Sequence, residues 1–141
     1  MHPERIIIHH SAGQDHPAFD VAGIRDWHLN KGWRDIGYHL LIEKVKGRYE
    51  AILGRPFDER GAHCIGQNQR SLGVCFIGDY TEVAPTVEML RCGANHIAGL
   101  MRVIGLGISA ETVTPHRAHW ATDCPGKSFP MEQLVETIYG M

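Results

Sequence analysis

Long apolar runs, paired cysteines and a surplus of charge are all missing from this 141-residue chain, and each shortage closes off a class of protein. The first apolar run, Ile6–Ile8, is too short for a secretory leader or a membrane span. No later stretch is long enough either. The chain is therefore expected to be made in the cytoplasm without a signal peptide and to insert into no membrane. A formal net charge of −2 offers no basic face with which to grip nucleic acid or an anionic bilayer. The four cysteines, Cys64, Cys75, Cys92 and Cys124, contain no CxxC pair. Cys75 and Cys92 fall in apolar or helical patterns that bury them as thiols, so a reduced state is expected.

Histidine, by contrast, is plentiful. Ten histidines in a chain of this length exceed ordinary need and hint at metal or proton chemistry. The rest of the composition, 43% hydrophobic and 21% charged, suits one globular domain over residues 1–141, large enough to bury a core without staples.

The order of elements predicts an α/β fold with a central mixed β-sheet flanked by about three helices. "ERIIIHHSAG" reads as a buried strand ending at a turn rich in Ser and Gly. Asp20 then opens an amphipathic helix carrying Val21, Ile24, Trp27 and His28, which Gly32 stops. "DIGYHLLIEKVKGRYEAIL" has the pattern of a hairpin around Lys46–Gly47, and "RSLGVCFIGDY" that of a central strand. Thr86 caps a long helix ending at Gly105; "ETVTPH" is a short strand, and residues 130–139 form a last helix with Leu134, Val135 and Ile138 on one face.

Polar, metal-capable residues stand just where these strands end. His9 or His10 follows the first strand and His116 follows the short one. Cys124 lies eight residues beyond His116, among Asp123, Pro125, Gly126 and Lys127, which do not read as a core. Two imidazoles and a thiolate suit Zn²⁺ better than magnesium or calcium, and leave a fourth position for water. Coordination would also explain an exposed cysteine. His2, His16, His28, His96 and His119 read as surface or helix-face residues, and Trp27 and Trp33 as core. Asn68 and Ser71 read as fixing the loop before the central strand.

Four ordered blocks, "IIIHHSAG", "WHLNKGWRDIGYHLLI", "GAHCIGQNQRSLGVCFIGDY" and "HRAHWATDCPG", resemble the zinc-dependent N-acetylmuramoyl-L-alanine amidases. That family includes the amidase-type phage lysozymes and the peptidoglycan recognition proteins. The resemblance runs from about Arg5 to Pro130. It implies that fold, with His9, His116 and Cys124 as zinc ligands and Tyr38 as the catalytic tyrosine. Thr122 occupies the position where phage members carry lysine and recognition proteins threonine. His39 and His63 match positions lining the peptide-binding groove. A related cytoplasmic branch uses aspartate as third ligand, and Cys124 departs from it. The disulfide typical of animal recognition proteins is missing, because no cysteine lies between His9 and Cys64.

By resemblance, the substrate is peptidoglycan, cleaved between N-acetylmuramic acid and the L-alanine of the stem peptide. The implied protein is an endolysin-like monomer that acts on the wall after release or delivery. Tyr38 and Thr122 would assist at the oxyanion, and no Glu stands out as general base. Three rival readings stand beside this one: a non-catalytic peptidoglycan receptor on the same fold, a Cys–His hydrolase with Cys124 as nucleophile, and a structural zinc site with His10 or Asp123 as fourth ligand.

Overall fold

The structure, a computed structural model, describes residues 1–11 and 20–141. His16 and the Ala12–Gly13 part of the first turn, both read from sequence above, lie outside the described residues. Five strands and three helices follow in the order β1 (Arg5–His10), α1 (Val21–Asn30), β2 (Leu40–Val45), β3 (Arg48–Leu53), β4 (Ser71–Phe76), α2 (Val87–Ile104), β5 (Val113–Pro115) and α3 (Met131–Tyr139). The sheet order is β3-β2-β4-β1-β5. Only β2 and β3 pair antiparallel; β1 is parallel to β4 and β5, and β2 to β4. The mixed sheet expected from sequence is thus present.

Local chemistry explains the punctuation. Lys46 and Gly47 both take positive φ, 51° and 81°, as a two-residue hairpin turn matched to strand twist requires. Asp20 accepts the Gly23 N–H to start α1, and Thr86 accepts the Met89 N–H to start α2. Gly105, at φ 72°, closes α2 in the left-handed conformation.

Alternation along the strands sends two different residue sets to the two faces. Ile6, Ile8, Leu72, Val74, Phe76 and Val113 join Leu90, Ala94, Ile97, Met101 and Leu134 in one core against α2 and α3. On the opposite face, Leu41 and Cys75 pack with Val21, Ile24 and Ile36 around α1. By the same alternation, that second face also carries His9, Ser71 and Gly73. β4 is the middle strand and every residue in it is buried.

Some details differ from the sequence reading. Cys92 is half-buried rather than enclosed, because it sits at the edge of the α2 stripe; all four cysteines are free thiols. Residues His116–Ala118 form a single 3-10 turn that no periodicity announced. His28 lies on the inner face of α1, buried, with Nδ1 accepting the Gly37 N–H at 2.9 Å.

Candidate metal centre

β1 and β5 run side by side with Ile8 opposite Pro115. One residue further on, that register brings His9 and His116 together, with ring centroids 4.4 Å apart. The loop after His116 folds back so that Arg117 N–H donates to the Cys124 carbonyl at 2.9 Å. This returns Cys124 to the end of β1, where its Sγ lies 3.8 Å from His9 Nδ1 and receives the His10 N–H at 3.4 Å. His9, His116 and Cys124 each present a ligand atom, all within 4.8 Å of one another. Among the described residues this is the one set of three or more His, Cys, Asp or Glu side chains so disposed.

His10 belongs elsewhere. Adjacent strand residues face opposite ways, and its Nδ1 accepts the Tyr80 N–H at 3.2 Å. A closed four-ligand site through His10 is not formed.

Burial sets the protonation states. His9 is pushed well below the ordinary imidazole range by burial, with the neighbouring histidines adding to the shift. Burial likewise takes His116 down to about 4 and His63 down to about 3. These rings are neutral at pH 7, as metal ligation needs. Burial pushes the Cys124 thiol up to about 12, against the opposing pull of the His10 N–H and Arg117. A cysteine nucleophile wants a depressed pKa and an adjacent base; burial holds this one as a thiol. That protonation state does not suit a nucleophile.

The set opens into a cleft of about 280 Å³, lined also by Trp27, Lys31, Trp33, Tyr38, His63 and Thr122. Trp33, Ala62, His63 and His116 are shared with a neighbouring hollow of about 260 Å³ that ends at Ile65 and Trp120. A larger hollow of about 710 Å³ lies between the β2–β3 hairpin and α2, and it contains none of the three ligand residues. Chemistry, not size, marks the site.

Tyr38 stands just ahead of β2, its ring centroid 5.1 Å from that of His9. Burial, and after it the thiols of Cys75 and Cys124, hold its pKa well above the ordinary tyrosine value. It is an O–H donor at neutral pH. Thr122 is half-buried at the rim; its Oγ1 accepts the Cys124 N–H at 3.2 Å, which uses a lone pair and not the hydroxyl proton.

The two groove histidines are placed differently from one another. His63 reaches the cleft, with Nδ1 2.9 Å from His9 Nε2. His39 does not. It is fully buried, its Nδ1 accepts the Gly73 N–H at 3.0 Å and its Nε2 lies 2.7 Å from the Glu59 carbonyl. It ties β2 to β4 and to the 59–61 loop, with no surface left for a ligand. Asn68 fixes its loop as expected, accepting the N–H groups of His63 and Cys64 at 2.8 and 2.9 Å.

Trp33 and Trp27, read as core, are half-buried at the cleft mouth, where Lys31 Nζ sits 3.9 Å from the Trp27 ring centroid. Lys31 and Trp120 drew no attention in the sequence. A tryptophan just past a helix-ending glycine, outside any apolar period, was the available signal for Trp33.

The sequence profile of N-acetylmuramoyl-L-alanine amidases matches residues 1–127. The chain belongs to this family. An endolysin of Enterobacteria phage K11 is 40% identical over 134 residues, spanning 94% of this chain and 85% of the phage protein. The solved structure of the N-acetylmuramoyl-L-alanine amidase LysC from Clostridium intestinale URNW superposes with a TM-score of 0.84 at 26% identity. That match covers 98% of this chain and 86% of that one. A point mutant of Drosophila PGRP-LB, solved in complex with tracheal cytotoxin, gives a TM-score of 0.76 at 30% identity over 94% of this chain and 80% of its own. The protein is thus an amidase of the peptidoglycan-hydrolysing kind, on the fold these relatives share. No helix of the described residues is long and apolar enough to cross a membrane.

Proposed function

We propose that this amidase is a zinc hydrolase in which His9, His116 and Cys124 hold the ion. Its target is the amide between the lactyl group of N-acetylmuramic acid and L-alanine. The carrying observation is the convergence of two imidazoles and one sulfur within 4.8 Å at the floor of an open cleft. A mixed nitrogen and sulfur donor set suits zinc, and three protein ligands are the catalytic pattern. When bound, zinc supplies a nucleophile from water at neutral pH and polarises the scissile carbonyl.

The chain's own groups do the rest. Tyr38, held protonated by burial, donates its O–H to the oxygen that gains charge as water attacks. Thr122, lining the same cleft, offers a second, uncharged donor. Loading the site moves one proton from Cys124 Sγ to solvent, because that thiol is neutral beforehand. The cleft and its neighbouring hollow give an extended substrate somewhere to lie, with indole walls at Trp33 and Trp120. We assign peptidoglycan, and no nucleic acid, as the partner of this amidase domain, which acts as a monomer. It works at the cell wall.

Purified muropeptides digested with and without chelator, and read by mass spectrometry, test this. New lactyl carboxyl ends paired with L-alanine amino termini are expected, lost with chelator and restored by zinc. Cleavage at another bond overturns the substrate assignment. Chelator-resistant cleavage overturns the metal, and binding without cleavage makes the protein a receptor.

A further inference from the structure

Behind the ligand set, on the side away from Cys124, a hydrogen-bonded chain runs inward from His9. His9 Nε2 lies 2.9 Å from His63 Nδ1, and both side chains are buried. His63 Nε2 lies 3.4 Å from Ser71 Oγ, and Ser71 Oγ donates to the Gln67 carbonyl at 2.7 Å. Ser71 is fully buried.

The far end of this chain fixes its direction. A backbone carbonyl only accepts, so the Ser71 hydroxyl proton is committed to Gln67. Ser71 Oγ is left to accept, and His63 Nε2 must carry the hydrogen it receives. In a neutral imidazole the other nitrogen is then the acceptor. His63 Nδ1 therefore takes a hydrogen from His9 Nε2, and the lone pair of His9 is left on Nδ1. That is the nitrogen 3.8 Å from Cys124 Sγ.

The seat of His63 is shaped for it. A Cβ on Gly73 would stand 2.5 Å from His63 Cγ, and one on Gly61 would stand 2.7 Å from His63 Cδ2. Glycine at both positions thus leaves room for the ring, and Asn68 Oδ1 accepts the His63 backbone N–H.

We infer that His63, anchored through Ser71 to the Gln67 carbonyl, is a positioning residue that locks His9 in the Nε2-protonated tautomer with Nδ1 turned to the ligand set. This rests on the reading of His9 as a metal ligand. Without the lock, His9 divides between two tautomers, one of which presents an N–H to the cation. A partner of this kind also raises the basicity of the ligand it holds, and its loss typically weakens metal affinity roughly 10- to 100-fold.

NMR and zinc binding by the purified protein test the proposal, without recourse to activity. Nitrogen-15 NMR of the metal-free wild-type protein is expected to show His9 protonated on Nε2; protonation on Nδ1 overturns the lock whatever any variant does. Zinc affinity, read by competition with a chromophoric chelator, is expected to fall roughly 10- to 100-fold in His63→Leu. His63→Asn, whose Oδ1 can accept the same hydrogen, is expected to recover most of it. Equal affinities for wild type and His63→Leu overturn the proposal, as does a His63→Asn as weak as His63→Leu. His9→Ala separates the two readings. Full zinc stoichiometry in that variant sinks the ligand assignment itself, whereas zinc lost there but unaffected by His63→Leu sinks only the positioning role.

Discussion

The two faces of the sheet are built from alternate residues of the same strands, and they are opposites. On the α2–α3 face, β4 contributes Leu72, Val74 and Phe76, all fully buried among apolar neighbours. On the α1 face the same strand contributes Ser71, Gly73 and Cys75, the small set between the large ones. Small side chains there leave volume for the rings of His9, His39 and His63. One face holds the molecule together through transfer of apolar surface from water. The other buries polar rings, which is unfavourable unless each finds a partner, and His39, His63 and Ser71 all do. Chemistry sits on the less comfortable face, next to a well-packed one that fixes the strand positions.

The sharpest separation of the faces comes from Cys124→Ala. Amidase activity should fall to background and zinc stoichiometry to zero, while denaturant melts of the metal-free protein move by less than about 1 kcal/mol; retained zinc breaks the ligand assignment. Phe76→Ala should do the reverse. Its ring packs edge-on to Phe129, with centroids 5.0 Å apart, and truncation should cost about 3–5 kcal/mol of stability while any folded fraction still binds zinc. A loss under about 1 kcal/mol would mean the apolar face is not the main support.

Tyr38→Phe should keep zinc and fold but lower turnover on the order of 100-fold, the scale of one oxyanion donor. Unchanged turnover removes Tyr38 from the mechanism. Acid should weaken the histidine face. His9, His63 and His116 have folded pKa values below the unfolded value near 6.5. Their contribution is present above that value, and is lost as pH falls from about 6.5 toward about 4 and about 3, because the unfolded chain then binds protons the fold refuses. The metal-free melting temperature should drop by several degrees between pH 7 and 5, and a flat profile contradicts these shifts. The smallest effect is expected from Thr122→Lys. A charged donor at the rim should change turnover by less than about tenfold, and complete inactivity would show that the two versions are not interchangeable.

Much of this was legible from residues alone. Asp20, Thr86, Gly105 and the Lys46–Gly47 pair announce their turns and caps through local backbone chemistry, which needs no tertiary partner. The candidate ligands stood out because two histidines follow strand ends and Cys124 lies in a polar Pro/Gly loop that does not suit a core. His39 misled for the same reason that His63 did not distinguish itself. Both were read from the family resemblance, and sequence spacing carries no record of which ring nitrogens the interior will occupy.

Strand periodicity and capping determined the elements and their order, because those signals act over a few residues. Which of His9 and His10 joins His116 and Cys124, whether His39 touches solvent, and how His63 sets the proton on His9 were decided only when β1, β2, β4 and β5 came into register. Those facts depend on distances between residues dozens of positions apart, and only the packed sheet fixes them.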